Sequence, residues 1–233
     1  MKQKLLSVKL RRDELERSLG GGLPVASLIL LEGPDGAGKS IVSQRLCYGL
    51  VRGEKTVTYI SSELNTQGFI EQMASLDYDI KYDMLDDKLL FIPMFPYYGQ
   101  TRLNNDLLQK LVQCKRIFDS NVIIFDTLSF LLINDNISQD DSFQFINFLK
   151  QLTALEKTVI VNVDPEHLNI KFLTILRNVC DVIMDLELRS FAGNLIRLIN
   201  VKRFKRSGSD VVNNIPFRVE PGKGLVIEIA NFS

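Results

Sequence analysis

The chain of 233 residues is long enough to bury one substantial core, and its 45% hydrophobic and 24% charged residues are typical of a globular domain. Its 28 basic and 28 acidic side chains cancel, so the net charge gives no electrostatic reason to wrap nucleic acid or to lie on an anionic membrane. The 3 cysteines are far apart and there is 1 histidine, which favours a reducing compartment and excludes a zinc site built on several imidazoles.

The N-terminal segment, MKQKLLSVKLRRDELER, carries too many charges to be a signal peptide. No apolar run elsewhere approaches the ~20 residues that a membrane-spanning helix needs. We therefore expect a cytoplasmic protein that meets a membrane only through a partner.

Most of the chain alternates between strand-like and helix-like segments, a pattern typical of a parallel sheet covered on both faces. A short apolar strand at residues 27–31 runs into a glycine-rich loop, and the helix that follows has a stop signal at Gly53. Further strands are predicted at residues 56–61, 89–95, 122–125 and 158–163. The predicted helices carry apolar residues at Phe69, Ile70 and Met73, at Leu103, Leu107, Leu111 and Phe118, and at Phe143, Ile146, Leu149 and Leu152.

The C-terminal part of the chain has a different pattern. Asp164 and Pro165 are the residue types of an N-cap and a first helical position, and they predict one more helix. Beyond Cys180 the pattern is β only, with turns that contain Gly208 and Gly222. We predict one α/β domain over residues 1–233, in which helices flank a mostly parallel P-loop core that antiparallel C-terminal strands close.

The loop after the first strand matches the pattern GxxxxGK[ST] and lies between a predicted strand and a predicted helix, the context of a phosphate-binding P-loop. The residues that we expect to bind a nucleotide, ATP, are Gly33, Pro34, Asp35, Gly36, Ala37, Gly38, Lys39, Ser40 and Ile41.

The glycine, lysine and serine residues of this motif each have a physical role. Gly36 and Gly38 allow the backbone to turn its N–H groups inward, and these groups and the helix N-terminus bind phosphate oxygens. Lys39 would reach the β- and γ-phosphates, and the Ser40 hydroxyl would bind Mg²⁺. The alternative, a glycine-rich turn with a solvated lysine, does not account for the strand and helix on either side of it.

A magnesium–nucleotide site also needs a carboxylate at the end of a neighbouring buried strand. Asp126 directly follows the apolar run at residues 122–125. By itself such an aspartate would terminate a strand or cap a helix, but a P-loop upstream favours the metal role. We therefore assign Ser40 and Asp126 to Mg²⁺.

Glu63 follows the strand at residues 56–61, close to the sheet edge where ligands of open α/β sheets bind. A carboxylate at this edge could deprotonate the attacking water and so be catalytic. An exposed glutamate at a helix start, favoured by the helix dipole, is the alternative. The residues themselves leave both interpretations open.

The segment LERSLGGGLPVASLILLEGPDGAGKS resembles the entry to the KaiC- and RadA-type RecA-fold ATPases, in which a glycine triplet, a proline and a small residue precede the first strand. The resemblance continues through YISSE, VIIFD and PFRVEPGKGLVIEI. It implies a RecA-like core, and it places Glu63 at the position of the catalytic glutamate. KaiC domains carry adjacent glutamates there, whereas Ser62 precedes Glu63 in this chain, which implies weak hydrolysis.

Within that group, RLCYGLVRGEKTVTYISSEL and IPFRVEPGKGLVIEIA are most similar to the accessory ATP-binding proteins of the archaellum, the archaeal flagellum. This resemblance implies a cytoplasmic regulator of the assembly or switching of the archaellum motor, whose partners are the motor ATPase and the membrane platform protein. It also implies self-association into a ring, a hexamer in KaiC relatives.

KaiC-like hexamers insert basic residues into the neighbour's nucleotide site. We expect no arginine of the same chain to complete the site, and the run Lys202–Arg206 is basic enough for that role. A solvated basic hairpin explains the same run equally well.

A DNA-dependent ATPase of the recombinase type is the main alternative function. The segments that would bind DNA are expected after the strands at 122–125 and 158–163, and they need basic residues. The first of them, TLSFLLINDNISQDD, contains Asp135, Asp140 and Asp141 and no lysine or arginine, so it would repel a phosphate backbone. We therefore expect no nucleic-acid partner.

A small-molecule kinase is the third option. It would need an arginine-rich lid segment, which the sequence does not show.

Overall fold

The computed structural model describes residues 4–94, 115–128, 139–191 and 194–228. Within these ranges a nine-stranded sheet forms the centre of the molecule, and a two-stranded sheet joins residues near the N-terminus. The strands are β1 (Leu5–Leu6), β2 (Leu23–Pro24), β3 (Leu28–Glu32), β4 (Val57–Ser61), β5 (Leu89–Pro93), β6 (Val122–Asp126), β7 (Thr158–Val163), β8 (Val182–Phe191), β9 (Asn194–Phe204), β10 (Asn214–Glu220) and β11 (Gly224–Ile227). The helices are α1 (Leu15–Ser18), α2 (Lys39–Arg52), α3 (Thr66–Ser75), α4 (Lys81–Leu85), α5 (Gln139–Ala154) and α6 (Ile170–Val179).

The strand order of the large sheet is β11-β10-β9-β8-β3-β7-β6-β4-β5. The block from β8 to β5 is parallel, whereas β9, β10 and β11 each pair antiparallel with the strand before them. Strands β3, β4, β6 and β7 are buried along their whole length, which fits their mostly apolar sequences. The predicted fold class, a mostly parallel α/β core closed by antiparallel C-terminal strands, is confirmed.

Two hydrophobic cores lie on the two faces of the sheet. One face packs against α2 and α3 through residues such as Leu46 and Phe69. The other packs against α5 and α6 through residues such as Leu149 and Leu176. Helices α3 and α6 bury apolar residues against the sheet, as the spacing in the sequence predicts, whereas α2 also buries polar residues such as Arg45.

The predicted strands of the parallel block agree with the observed bounds to within two residues. Several predicted features lie outside the described residues: the end of the strand at 89–95, the helix positions Leu103, Leu107 and Leu111, and most of the acidic segment weighed against DNA binding. Phe118, predicted on that same helix, belongs to a short 3-10 turn at Lys115–Phe118.

Asp164 and Pro165 are an N-cap and a first helical position, as predicted, but the segment that they start is a short 3-10 turn, and the longer α-helix begins at Ile170. Asp164 does act as a cap, because its side chain accepts a hydrogen bond from the Glu166 backbone N–H at 2.9 Å. The turn that it caps is a 3-10 turn of 3 residues, and the extended backbone of Leu168 ends it. A second cap, Asn169, then starts α6 by accepting from the Lys171 N–H at 2.9 Å.

No helix in the described ranges is long and apolar enough to cross a membrane.

The N-terminal segment lies across α2 and is fixed there by an ion pair that the sequence does not reveal. The guanidinium of Arg45 donates two hydrogen bonds to the Asp13 carboxylate, at 2.6 and 2.7 Å, and a third to the backbone oxygen of Val8 at 2.9 Å. Both charged side chains are 0% exposed. Gly49 permits this contact, because a Cβ there would lie 2.5 Å from the Val8 oxygen.

We expect Asp13→Ala to destabilise the fold strongly, because it leaves a buried guanidinium without its counter-charge. The free energy of unfolding, measured by denaturant titration, should fall by about 3–5 kcal/mol. Arg17→Ala is the matched control, since Arg17 lies in an exposed pair with Glu14 at 3.9 Å. The control should change the unfolding free energy by less than about 0.5 kcal/mol. Equal effects of the two variants would contradict the importance assigned to the buried pair.

Candidate functional site

The carboxyl ends of β3, β4 and β6 open onto one edge of the sheet, because all three belong to its parallel block. A cavity of about 250 Å³ lies at this edge. Its lining includes Asp35, Gly36, Gly38, Lys39, Ser40, Ile41, Glu63, Thr127 and Arg197. A larger groove of about 980 Å³ lies beside α1 and β10, but none of the predicted site residues lines it. The smaller cavity is therefore the candidate site.

The P-loop connects β3 to α2 and has the backbone that the motif predicts. Gly33 and Gly38 have φ values of 154° and 99°, in the region that favours glycine. A Cβ on Gly33 would lie 2.3 Å from the Leu186 backbone oxygen, so only glycine fits against β8. Gly38 is the N-cap of α2 and provides no side chain to cap it. The first N–H groups of α2 are therefore available to an anion in the cavity.

The Lys39 side chain folds back over the loop. Its ammonium donates to the backbone oxygens of Gly33 at 2.7 Å and Pro34 at 2.9 Å, and only 7% of the residue is exposed. Asp35 lies 3.9 Å away and is exposed. The positive charge is thus held at the mouth of the loop, where phosphate oxygens would replace the backbone oxygens as acceptors.

The Asp126 carboxylate accepts three side-chain hydrogen bonds. It is 2% exposed and accepts hydrogen bonds from Ser40 at 2.8 Å, from Tyr59 at 2.8 Å and from Asn162 at 2.6 Å. Burial raises the pKa of Asp126, the three hydrogen bonds oppose that rise, and the nearby Glu63 adds to it. Asn162 in turn accepts from Ser43 of α2 at 2.8 Å.

The structure therefore brings the two residues assigned to Mg²⁺, Ser40 and Asp126, into direct contact. Both offer the hard oxygen atoms that Mg²⁺ prefers. The described residues contain no group of three or more His, Cys, Asp and Glu side chains placed to hold a metal ion by themselves. A Mg²⁺ ion at this position would then need phosphate oxygens and water as its other ligands.

Glu63 lines the cavity and lies two residues after the end of β4. Its carboxylate accepts a hydrogen bond from the Thr127 hydroxyl at 2.6 Å, and its backbone N–H is 3.3 Å from the Ser61 hydroxyl. The N-cap of α3 is Asn65, which accepts from the Gly68 N–H at 2.7 Å. Glu63 is therefore not needed as a helix cap, and the contact with Thr127 directs it to the cavity.

Arg197 corrects the expectation that no arginine completes the site from within the chain. It lies on β9, where it pairs with Leu188 of β8, and its guanidinium donates to the Gly36 backbone oxygen at 3.2 Å. It is distant from the motifs in sequence, but the sheet brings β9 beside the P-loop.

The basic run Lys202–Arg206 lies at the other end of β9, away from the cavity. Phe204 pairs with Val182 at the start of β8, whereas the P-loop follows the end of β3. The described contacts of the run are with residues outside the cavity. Lys202 lies 3.6 Å from the Asp185 carboxylate and Lys205 lies 3.4 Å from the Asp181 carboxylate. Arg206 donates to the Val25 backbone oxygen at 2.9 Å. No residue of the run lines the cavity of its own chain.

Sequence reasoning missed Tyr59, Asn162, Thr127 and Arg197. Tyr59 and Asn162 could have been suspected from the sequence, since each carries a polar group inside a fully buried strand. Such a residue must find a hydrogen-bond partner. Thr127 and Arg197 could not have been suspected, because their roles depend on which strands are neighbours.

Comparison with known proteins gives a consistent family. The family model "ATPase: KaiC" matches residues 11–231. The chain is 38% identical to the archaeal flagellar ATP-binding protein FlaH of Methanocaldococcus jannaschii, over 97% of both chains. It is 32% identical to FlaH of Methanococcus voltae, over 98% of this chain and 99% of that one.

Two solved structures are also similar. The crystal structure of the flagellar accessory protein FlaH from Methanocaldococcus jannaschii has a TM-score of 0.91 and 37% identity, and it covers 97% of this chain and 100% of that one. The KaiC-like protein PH0186 from Pyrococcus horikoshii OT3 has a TM-score of 0.75 over 97% of this chain and 100% of that one. At 15% identity it supports the fold alone.

We expect Tyr59→Phe to raise the pKa of Asp126 further, because it removes one hydrogen bond from the carboxylate. A higher pKa in the folded state lowers stability only where the carboxyl group is ionised. The loss of unfolding free energy should therefore be absent at pH values below the folded-state pKa of Asp126 in both the original chain and the variant. It should be complete, at about 1.5–3 kcal/mol, at pH values above both. Denaturant titrations across the pH range measure it. Tyr48→Phe, which removes a hydroxyl from a ring stacked on Tyr78, is the control and should show no such pH dependence.

Proposed function

The chain belongs to the KaiC family of ATPases and, within it, to the FlaH branch, and on that basis we propose that it binds ATP with Mg²⁺ as an accessory protein of the archaeal flagellar motor. One observation carries the proposal: the Ser40 hydroxyl of the P-loop helix donates to the Asp126 carboxylate at 2.8 Å. This contact joins the two parts of a magnesium–nucleotide site that lie far apart in the sequence.

The phosphates would bind along the P-loop. The backbone N–H groups from Gly36 to Ser40 and the start of α2 would receive the phosphate oxygens. Lys39 would exchange the oxygens of Gly33 and Pro34 for those of the β- and γ-phosphates. Arg197, bound to the Gly36 oxygen, would add a second positive charge from β9.

Ser40 and Asp126 would hold the magnesium ion of the nucleotide. The Ser40 hydroxyl would be a direct ligand, and the Asp126 carboxylate would hold the water ligands. The metal would supply positive charge next to the β- and γ-phosphates. Tyr59 and Asn162 would keep the carboxylate oriented, since each donates to one of its oxygens.

Glu63 would act as the general base in hydrolysis. The oxygen of a water molecule would bond to the γ-phosphorus, the bond from that phosphorus to the bridging oxygen of ADP would break, and the water proton would pass to the Glu63 carboxylate. Ser62 stands where KaiC domains have a second glutamate, and we propose slow hydrolysis for this reason. ATP would then act mainly by setting the conformation or assembly of the chain, which suits a regulator of motor assembly or switching.

The motor ATPase and the membrane platform protein of the archaellum are the partners that we propose from the relatives, and contact with a membrane would come through them. A ring of this chain, a hexamer as in KaiC relatives, would place the run Lys202–Arg206 of one subunit at the nucleotide of its neighbour. The location of that run, at the far end of β9 from its own cavity, supports a role in the neighbouring site over a role in its own.

We expect Lys39→Ala to weaken ATP binding by at least about 100-fold, because it removes the charge that faces the phosphates. Isothermal titration of the nucleotide into the protein measures this, with Mg²⁺ and with a chelator. Lys81→Ala, on α4 and outside the cavity, is the control and should bind ATP as the original chain does. Unchanged ATP affinity in Lys39→Ala would refute the P-loop assignment. If the original chain bound ATP equally well with Mg²⁺ and with the chelator, the Mg²⁺ site would be refuted.

We expect ATP to favour the ring, because binding at a subunit interface stabilises the assembled state. Light scattering of the protein with ATP, with ADP and without nucleotide measures the mass. The double variant Lys205→Ala/Arg206→Ala should assemble less well, whereas Lys223→Ala, in the turn before β11, should not differ from the original chain. A monomer at saturating ATP would rule out the ring. Normal assembly of the double variant would rule out only the role of these two residues.

A further inference from the structure

Thr127, the residue after Asp126, has an unusual backbone. Its φ is +63°, in the left-handed region, and it is the only β-branched residue with a positive φ among the residues that the structure describes. Branching at Cβ makes this region particularly unfavourable. Such a conformation persists only where surrounding contacts impose it, and it is often found at functional sites.

Ser62 provides the contacts that impose this conformation. Its hydroxyl donates to the Thr127 backbone oxygen at 3.1 Å, and its backbone N–H donates to the Asp126 oxygen at 3.4 Å. Ser62 is 2% exposed and lies just beyond β4, next to β6 in the sheet. The end of β4 therefore fixes the backbone that follows β6.

The consequence appears at the side chain of Thr127. The residue is buried, and in the left-handed conformation its hydroxyl donates to the Glu63 carboxylate at 2.6 Å. Glu63 is itself exposed, so its long side chain would otherwise sample several rotamers in solvent. One carboxylate oxygen is held by a rigid strand end, and the second oxygen is left to accept a proton.

We propose that Thr127 is a positioning residue that holds the Glu63 carboxylate at the cavity, and that Ser62 keeps Thr127 in the conformation that this requires. The proposal rests on the proposed ATP site for its role in hydrolysis, but the restraint on Glu63 exists without nucleotide. Ser62, at the position of the missing second glutamate, then has a function of its own: it connects the two strand ends that carry Glu63 and Asp126.

The first test needs no nucleotide. The rotamer distribution of Glu63 is measured by three-bond NMR couplings in the original chain and in Thr127→Val, Thr127→Ser and Ser62→Ala. Valine has the shape of threonine without the hydroxyl, and serine keeps the hydroxyl. We expect one dominant rotamer in the original chain and in Thr127→Ser, and averaging over several in Thr127→Val and Ser62→Ala. A single rotamer in Thr127→Val would overturn the proposal, and a single rotamer in Ser62→Ala would overturn the part given to Ser62.

The second test links the restraint to chemistry. Single-turnover hydrolysis and equilibrium ATP binding are measured for Thr127→Val, Thr127→Ser and Glu63→Gln, and for Thr127→Val combined with Glu63→Gln. We expect Thr127→Val to slow hydrolysis by about 10-fold with unchanged ATP affinity, Thr127→Ser to restore the rate, and no further loss in the combined variant. A further loss in the combined variant would mean that Thr127 acts independently of Glu63. If the original chain failed to bind ATP, the proposed function would be wrong, while the rotamer result would still stand.

Discussion

The candidate site depends on one buried carboxylate. A charge taken out of water is tolerated only when hydrogen bonds replace its hydration, and Asp126 has three of them, from Ser40, Tyr59 and Asn162. These donors come from α2, β4 and β7, so the carboxylate is fully bonded only when the P-loop helix and two neighbouring strands are in register with β6. A slip of β4 or β7 would remove one of the three hydrogen bonds to Asp126, so the site is complete only when the sheet has formed in the correct register.

Strand β9, in the antiparallel part of the sheet, carries two groups of basic residues. Its early residue Arg197 contacts the P-loop of the chain's own cavity, and its last residues belong to the basic run Lys202–Arg206 at the opposite edge. β9 pairs with β8 from Asn194 to Phe204, with a bulge opposite Ile183 and Met184, and it pairs with β10 from Arg197 to Asn200. In the ring proposed above, β9 would extend from the chain's own P-loop to the surface offered to the next subunit.

Much of the fold and the centre of the site could be predicted from the sequence, because they are encoded locally. The P-loop is one uninterrupted string, and Asp126 directly follows a strand whose burial its apolar run reveals. Arg197 and Thr127 could not be predicted, because one depends on β9 lying beside β8 and the other on a backbone conformation that Ser62 imposes from another strand. The start of α6 was misplaced for a local reason: Asp164 and Asn169 are both good caps, and composition alone does not tell which of them begins the longer helix.

The buried pair of Arg45 and Asp13 has a consequence for how the molecule can move. The pair fastens the middle of α2 to the N-terminal segment, while the start of the same helix forms the phosphate-binding end. A helix clamped at mid-length can neither slide along its axis nor rotate without exposing a bare charge to the interior. The P-loop helix is therefore held in place, and any change of conformation on ATP binding must occur in parts of the protein that no such buried ion pair restrains.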